Sequence, residues 1–247
     1  VLVPSPAIMA GMGDAMVRIT DVRFRWRREG PLILDIPRLG VDKGERVFIK
    51  GPSGGGKTTL LNLLGGVTVP ESGSVSIMGT DMAALGGARR DAFRADHIGF
   101  VFQMFNLVPY LSLIDNVILP CRFSAARRGR ALARSENLAR EARRMLEHMD
   151  LDVDALMSQP VTELSVGQQQ RVAVARALIG GPELIIADEP TSSLDADARR
   201  SFLDLLFREV REAGSTLLFV SHDASLEGAF DRSVALAELN KAPGRTP

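Results

Sequence analysis

Residues 51–58 read GPSGGGKT, which matches the phosphate-binding pattern GxxxxGK[ST]. A short β-rich run, 46–50, precedes the stretch, and an apolar run typical of a helix, 57–64, follows it. Glycines let successive backbone N–H groups turn around phosphate oxygens, and the helix adds its positive N-terminal end. A glycine-rich hairpin turn is the alternative, but it does not require Lys57 and Thr58. We predict a nucleotide site in which Lys57 contacts the β- and γ-phosphates and the Thr58 hydroxyl binds Mg²⁺.

Composition narrows the class of protein. The 247 residues suffice for one large domain or two small ones, and 45% are hydrophobic, so a sizeable core can be buried. The 30 Lys and Arg residues balance 30 Asp and Glu residues, so we expect no nucleic-acid partner, which usually needs a basic face. Cys121 is the only cysteine, which excludes an intramolecular disulfide and a cysteine-based zinc cluster and indicates a reducing, cytoplasmic location. No apolar run approaches the roughly 18–20 residues that span a bilayer.

Both ends of the chain are predicted to lie outside the folded domain. Residues 1–16 lack the basic n-region of a signal peptide and are predicted to form a flexible leader, with Met12 or Met16 as alternative starts. Residues 17–240 are predicted to form a single domain, followed by a flexible tail at 241–247.

Hydrophobic periodicity predicts a mixed fold. Apolar and polar residues alternate at 17–26 and at 32–41, which favours two neighbouring strands of an antiparallel sheet. Helices and strands alternate toward the end of the chain, which favours a parallel α/β sheet. The other predicted elements are strands at 46–50, 74–78, 97–102, 184–187 and 216–221 and helices at 57–64, 167–179 and 196–212.

A helical subdomain is predicted at about 105–165, where β-branched runs are few. It begins with a helix at 113–119 capped by Ser112 and continues with one long helix at 125–149. The arginines between Arg122 and Arg144 form a basic stretch. In one interpretation the stretch faces anionic lipid or a membrane protein. In the other, such a run is simply a solvated helix face, which is the more common case.

Two carboxylates follow the apolar strand predicted at 184–187. Asp188 is placed to hold Mg²⁺ through water, and Glu189 to polarise an attacking water. A solvated acidic pair at a strand end is the alternative. His222 lies just past the apolar run 217–220, where we expect it to reach a γ-phosphate. A lone histidine is more commonly structural, but the surrounding motifs favour a functional role. His97 and His148 lack such motifs and are assigned to structure.

Together the motifs resemble the ATP-binding subunit of an ABC transporter. They are GPSGGGKT, Gln103, LSVGQQQRVAVARAL at 164–178, LIIADEPTSSLD at 184–195 and SHD at 221–223, in this order within residues 17–237. Kinases, GTPases and helicases share the phosphate loop but not LSVGQ. The resemblance implies an α/β fold with a P-loop NTPase (RecA-like) core, an antiparallel β subdomain and an inserted α-helical subdomain, with ATP and Mg²⁺ as cofactors.

The LSVGQ segment opens a helix, so the Ser165 hydroxyl, the Gly167 N–H and the helix dipole make a second anion site. In the family this site contacts the γ-phosphate held by the other protomer, so two chains sandwich two ATPs. The resemblance also implies that Gln103 senses the γ-phosphate and Mg²⁺, that Asp195 crosses the dimer interface and that Trp26 stacks on adenine, with Phe24 as its alternative.

The predicted site residues fall into three groups. Nucleotide contacts are Trp26, Gly51, Ser53, Gly54, Gly56, Lys57, Thr58, Thr59, Ser165, Gly167, Gln168 and Asp195; metal contacts are Thr58, Gln103 and Asp188; catalytic residues are Glu189, His222 and Gln103.

Within the family, LLNLLGG at 60–66 and FQMFNLVP at 102–109, with DNV at 115–117, are similar to the lipoprotein-releasing, macrolide-exporting and cell-division ATPase group. TSS at 191–193 replaces the Thr-Gly-Asn usual there and resembles amino-acid importers. The resemblance implies two partners: a second copy of the chain and an integral membrane permease that docks near 104–117. The chain is then peripheral, at the cytoplasmic face of the inner membrane.

Two other functions remain open at this level. One is a regulatory ATPase that transmits force across the membrane without transporting a substrate. The other is a soluble ABC protein of DNA repair or translation, a class that usually carries long coiled coils, zinc-binding cysteines or two cassettes in one chain. This chain has one cassette and one cysteine.

Overall fold

The computed structural model describes residues 15–52 and 54–243. The chain divides into two compact units, Val1–Asp91 with Thr216–Pro247 and Ala92–Ser215. In chain order the elements are β1 (Ala15–Phe24), β2 (Leu34–Asp42), β3 (Arg46–Lys50), α1 (Lys57–Leu64), β4 (Ser72–Ile77), β5 (Thr80–Asp81), α2 (Gly87–His97), β6 (Ile98–Val101), α3 (Leu113–Phe123), α4 (Ala125–Leu132), α5 (Leu138–His148), α6 (Val153–Leu156), α7 (Val166–Leu178), β7 (Leu184–Asp188), α8 (Ala196–Ala213), β8 (Thr216–Ser221), a 3₁₀ segment (Ala224–Ala229), β9 (Arg232–Ala235) and α9 (Leu236–Leu239).

The first unit contains an antiparallel sheet and a group of parallel strands. The antiparallel sheet has the order β2-β1-β4-β5, and β1 points Val17, Ile19 and Val22 into the core. In the parallel group, β3 is flanked by β8 and β9. β3 has a neighbouring strand on each side and is buried along its middle, and it leads directly into the phosphate loop.

The second unit is built around α7. This helix contacts β6 and the helices α3, α5 and α8, while β6 pairs in parallel with β7. Its residues 172–175 are completely buried. The helix that begins with LSVGQ is therefore the core helix of its unit.

The predicted α/β class, with one antiparallel and one parallel set of strands, is confirmed. Ser112 caps α3 as expected, accepting a hydrogen bond from the Asp115 N–H at 3.0 Å. The single helix predicted at 125–149 is wrong: it is two helices, because Asn137 caps α5 by accepting from the Arg140 N–H at 2.9 Å. The periodicity also missed α2, which buries none of its residues and so has no apolar face to detect.

The predicted domain boundaries stay predictions. Most of the predicted leader and tail lies outside the described residues, although Ala15 and Met16 already belong to β1. Between residues 105 and 165 the regular elements are α3 to α6, all helical. Among residues 15–52 and 54–243, no helix has the combination of length and apolarity that crossing a bilayer requires.

Candidate functional site

The phosphate loop of the first unit depends on glycine for its shape. Gly54 and Gly56 have φ of 74° and 97°, in the left-handed region where a side chain is strained. Gly55 closes the turn by donating its N–H to the Pro52 carbonyl at 3.1 Å. Gly56 is the N-cap of α1 and supplies no capping side chain, and the first turn of α1 holds no acidic residue. The positive end of this helix is therefore directed at the loop without a carboxylate of its own first turn beside it.

Lys57 is folded into this loop. Its ammonium donates to the Gly51 carbonyl at 2.7 Å, and the side chain is 6% exposed. Gly51 fits closely here, since an added Cβ would lie a tight 3.2 Å from Leu236 Cβ and an ordinary 3.5 Å from Lys57 Cγ. Of the two threonines that follow, Thr58 is exposed and Thr59 is buried. Ser53, also predicted to bind nucleotide, lies outside the described residues.

His222 and the phosphate loop start at the same edge of the parallel strands. Lys50 of β3 is paired with Ser221 of β8, so Gly51 and His222 are the next residues on adjacent strands. The Gly51 N–H donates to the Ser221 carbonyl at 3.4 Å. Ligands of open α/β sheets bind outside the carboxyl ends of the strands, and the exposed His222 lies at such an end.

The second unit gathers the other predicted catalytic residues in the same way. Val101 of β6 is paired with Ala187 of β7, so Asp188, Glu189 and Gln103 all lie at the carboxyl ends of two adjacent strands. Gln103 is exposed. Glu189 is 9% exposed and has a left-handed φ of 45°, a conformation that functional sites maintain at an energetic cost.

The N-terminus of α7 is closed by a capping box. Ser165 Oγ accepts from the Gln168 N–H at 3.3 Å, and Gln168 Oε1 accepts from the Ser165 N–H at 2.8 Å. Gly167, in the first turn, has neither a left-handed φ nor a neighbour within 4 Å of an added Cβ. The described residues of the chain therefore give no reason for glycine at this position.

Asp195 has a defined local role. It is the N-cap of α8, with Oδ1 accepting from the Ala198 N–H at 2.8 Å, and it remains exposed. The predicted interface residue thus also stabilises a helix start.

The two candidate adenine-stacking residues differ in exposure. Trp26 is 55% exposed, whereas Phe24 is 6% exposed and packs edge-on against Trp26 with ring centroids 5.0 Å apart. Only Trp26 of the pair offers an open ring, because Phe24 is part of the core.

The apolar segment after Gln103 is divided between surface and core. Met104 and Tyr110 are 80% and 86% exposed, whereas Phe105 is 7% exposed. The predicted docking surface near 104–117 therefore excludes Phe105, which packs inward. Asn116, fully buried, holds the segment: its side chain accepts from the Val108 N–H at 2.8 Å and donates to the carbonyls of Val108, Leu111 and Ser112.

The basic stretch is not a uniformly solvated face. Arg127 is 2% exposed and donates to the carbonyls of Ile179 at 2.8 Å and Ala177 at 2.6 Å. Burial lowers the pKa of Arg127 to about 10. The solvated interpretation is wrong for this arginine, since it closes the C-terminal end of α7.

The structural histidines are paired with glutamates. His97 Nδ1 lies 3.0 Å from Glu183, and His148 Nδ1 lies 3.5 Å from Glu209. Glu212 joins His148 and Glu209 in a group of three donors. Arg144 Nη1 is 3.4 Å from His148 Nε2, so a positive charge already lies beside this group.

Sequence reasoning missed three buried polar residues that hold the predicted loops: Asn116, Gln170 and Arg176. Gln170 and Arg176 lie within the otherwise apolar face of α7, and each donates to a loop carbonyl. The available signal was a polar side chain three or four residues away from apolar residues of the same predicted helix.

A sequence profile described as ABC transporter matches residues 34–192. The lipoprotein-releasing system ATP-binding protein LolD of Syntrophotalea carbinolica is 40% identical over 228 residues, which cover 92% of this chain and 96% of that protein. The macrolide export ATP-binding/permease protein MacB of Rhodopirellula baltica is 39% identical over 200 residues, 81% of this chain and 28% of that longer protein. A dimeric ATP-binding cassette in a post-hydrolysis state with ADP and Pi is 34% identical, with a TM-score of 0.76 over 89% of this chain and 94% of the other.

Proposed function

Because the chain belongs to the ABC transporter family, we propose that it is the ATP-hydrolysing subunit that drives a separate membrane permease. The observation that carries the proposal is the phosphate loop. Its left-handed glycines, the buried Lys57 ammonium and the N-terminus of α1 converge on one place. That combination suits the phosphates of ATP, which need backbone N–H donors and a fixed positive charge.

Each unit supplies oxygen donors of the kind that Mg²⁺ prefers. Thr58 has its hydroxyl in the first turn of α1, Asp188 ends β7 and Gln103 follows β6. We assign these three side chains to the ion. When bound, Mg²⁺ neutralises charge on the β- and γ-phosphates.

Glu189 is assigned as the base that accepts a proton from the attacking water. Its carboxylate directly follows the end of β7, on a residue that keeps a left-handed φ. His222 and Gln103 are assigned to the γ-phosphate, and Trp26 to the adenine.

Two copies of the chain are proposed to share each nucleotide. Ser165 and Gly167 lie at a helix N-terminus suited to an anion, and Gly167 has open space where other residues would have a side chain. A glycine that its own protomer does not require is explained by close approach of a partner's γ-phosphate. Asp195, exposed at the start of α8, belongs to the same proposed interface.

The permease is proposed to dock on Met104 and Tyr110, the exposed apolar residues beside Gln103. By analogy with the relatives' names, the transporter is of the lipoprotein-releasing or macrolide-export type. The chain is then a peripheral protein at the cytoplasmic face of the membrane.

Trapping the dimer tests this proposal. Glu189→Gln should bind ATP, fail to hydrolyse it and elute as a dimer in ATP and Mg²⁺, because the base is lost while the phosphate contacts remain. Glu163→Gln, the same change at an exposed site, should hydrolyse ATP like the wild type. Wild-type turnover by Glu189→Gln, or a monomer in ATP, contradicts the proposal. Cross-linking in native membranes then identifies the permease.

A further inference from the structure

Helix α7 contacts two loops of its own unit, the one that carries Glu189 and the one that carries Gln103. Gln170, 1% exposed, donates its side-chain amide to the carbonyl of Pro190, the residue after Glu189. Arg176, 8% exposed, donates from Nη1 to the Asn106 carbonyl at 2.7 Å and from Nη2 to the Phe105 carbonyl at 2.5 Å. These last two carbonyls belong to the turn that directly follows Gln103.

The turn beyond Gln103 has an unusual backbone that Arg176 fixes. Phe105 and Asn106 have φ of 56° and 49°, a left-handed conformation that residues with side chains rarely adopt. A guanidinium presents its N–H groups in one rigid plane, so two consecutive carbonyls bound to it cannot move independently. Burial removes water from the charged guanidinium of Arg176 and lowers its pKa. A neutral side chain at this position would avoid that cost. The retained charge therefore points to positioning rather than to filling space.

We propose that Arg176 is a positioning residue for Gln103, which links the Gln103 turn to the helix that begins at Ser165. The inference rests on the proposed function. The N-terminal end of α7 faces the partner's nucleotide in that proposal, and its last turn holds the turn after Gln103. A helix is stiff over this length, so a displacement of the Ser165 end is passed to Gln103. Gln170 makes the corresponding contact on the Glu189 side.

A double-mutant cycle tests the proposal. The chains are the wild type, Arg176→Met, Gln103→Ala and the double variant, each measured for ATP kcat, KM and melting temperature. Arg176→Met should lower kcat by about 10- to 100-fold, the cost of misplacing a catalytic group by a fraction of an ångström to one ångström. KM for ATP should change little, because Lys57 and its loop are intact. In the Gln103→Ala background Arg176→Met should cause no further loss of kcat.

Arg171→Met is the matched control. Arg171 lies on the same helix and also donates to two consecutive carbonyls, those of Met149 at 3.1 Å and Asp150 at 3.0 Å. Asp150 also has a left-handed φ, 54°, but its loop carries no predicted catalytic residue. Arg171→Met should change the melting temperature in the same direction as Arg176→Met and leave kcat unchanged. Arg176→Lys, which keeps one charged donor, should recover part of the lost kcat.

The outcomes separate the two hypotheses. An equal loss of kcat from Arg176→Met with and without Gln103 overturns the positioning role. Failure of both Arg176 variants to fold, while Arg171→Met folds, also overturns it and makes Arg176 a purely structural residue. If the wild type itself does not hydrolyse ATP, or if Glu189→Gln hydrolyses it equally well, the proposed function fails instead.

Discussion

Replacing Gly167 with alanine should produce a protein that is more stable and less active. In the folded chain an added Cβ at Gly167 has no neighbour within 4 Å, and the residue does not need a left-handed φ. Glycine in a helix is less stable than alanine by roughly 0.5–1 kcal/mol, because it loses more backbone entropy on folding. For a chain of 247 residues this corresponds to a rise of about 1–4 °C in melting temperature.

Gly167→Ala should weaken the ATP-bound dimer even though it stabilises the monomer. If the partner's phosphate approaches Gly167, the Cβ occupies that space, and overpacking of this kind costs about 1–3 kcal/mol. The dissociation constant of the ATP-bound dimer should therefore increase about 5- to 150-fold per site. Analytical ultracentrifugation in ATP and Mg²⁺, in the Glu189→Gln background, measures it directly.

Gly129→Ala is the control for this experiment. Gly129 is an exposed glycine inside α4, and an added Cβ there also has no neighbour within 4 Å. It should raise the melting temperature similarly and leave the dimer unchanged. Unchanged dimer affinity and turnover in Gly167→Ala would refute the close approach of a partner. A lower melting temperature would show that the Cβ contacts its own chain.

Three other predictions concern single residues. Trp26→Ala should lower the melting temperature only slightly, because Trp26 is 55% exposed and loses one edge-on contact with Phe24. It should weaken ATP binding by about 1–3 kcal/mol in titration calorimetry, and unchanged affinity would remove the stacking role. Tyr110→Glu should keep its melting temperature and ATP binding but lose co-purification with the permease, whereas Phe105→Glu should destabilise the fold by burying a carboxylate; a Tyr110→Glu variant that still co-purifies contradicts the docking surface. Lys57→Ala should abolish nucleotide binding to the monomer, while Ser165→Ala should keep it, lower turnover and lose roughly 0.5–2 kcal/mol of stability with the cap; equal loss of monomer affinity in both would place Ser165 in its own chain's nucleotide site.

Much of the framework was predictable because local signals and burial agree. The boundaries predicted for β3, α1 and β8 match the structure, since each is a short apolar run with a glycine or polar boundary. The phosphate loop and the helix that LSVGQ opens were also predictable, because glycines and helix-start signals act over a few residues. These are the parts of the site that depend on nearest neighbours along the chain.

The rest depends on contacts between distant residues. Phe105 and Tyr110 are both apolar aromatic residues of one segment, yet one is 7% and the other 86% exposed. Nothing local separates them. Phe105 lies in the stretch whose carbonyls Arg176 binds, whereas Tyr110 lies four residues beyond it. Arg127 looks like any other arginine of its basic stretch, but the carbonyls it binds lie about 50 residues further along the chain.

The hydrogen bonds that Asn116 makes to its loop have a consequence for how fast the permease can bind. A loop that must be ordered on binding slows association and gives up part of the interaction energy as lost conformational entropy. Here the side chain of one asparagine already fixes Val108, Leu111 and Ser112 by four hydrogen bonds before any partner arrives. The proposed docking surface is preorganised, so its association rate should be set by diffusion and orientation and should show little dependence on loop rearrangement.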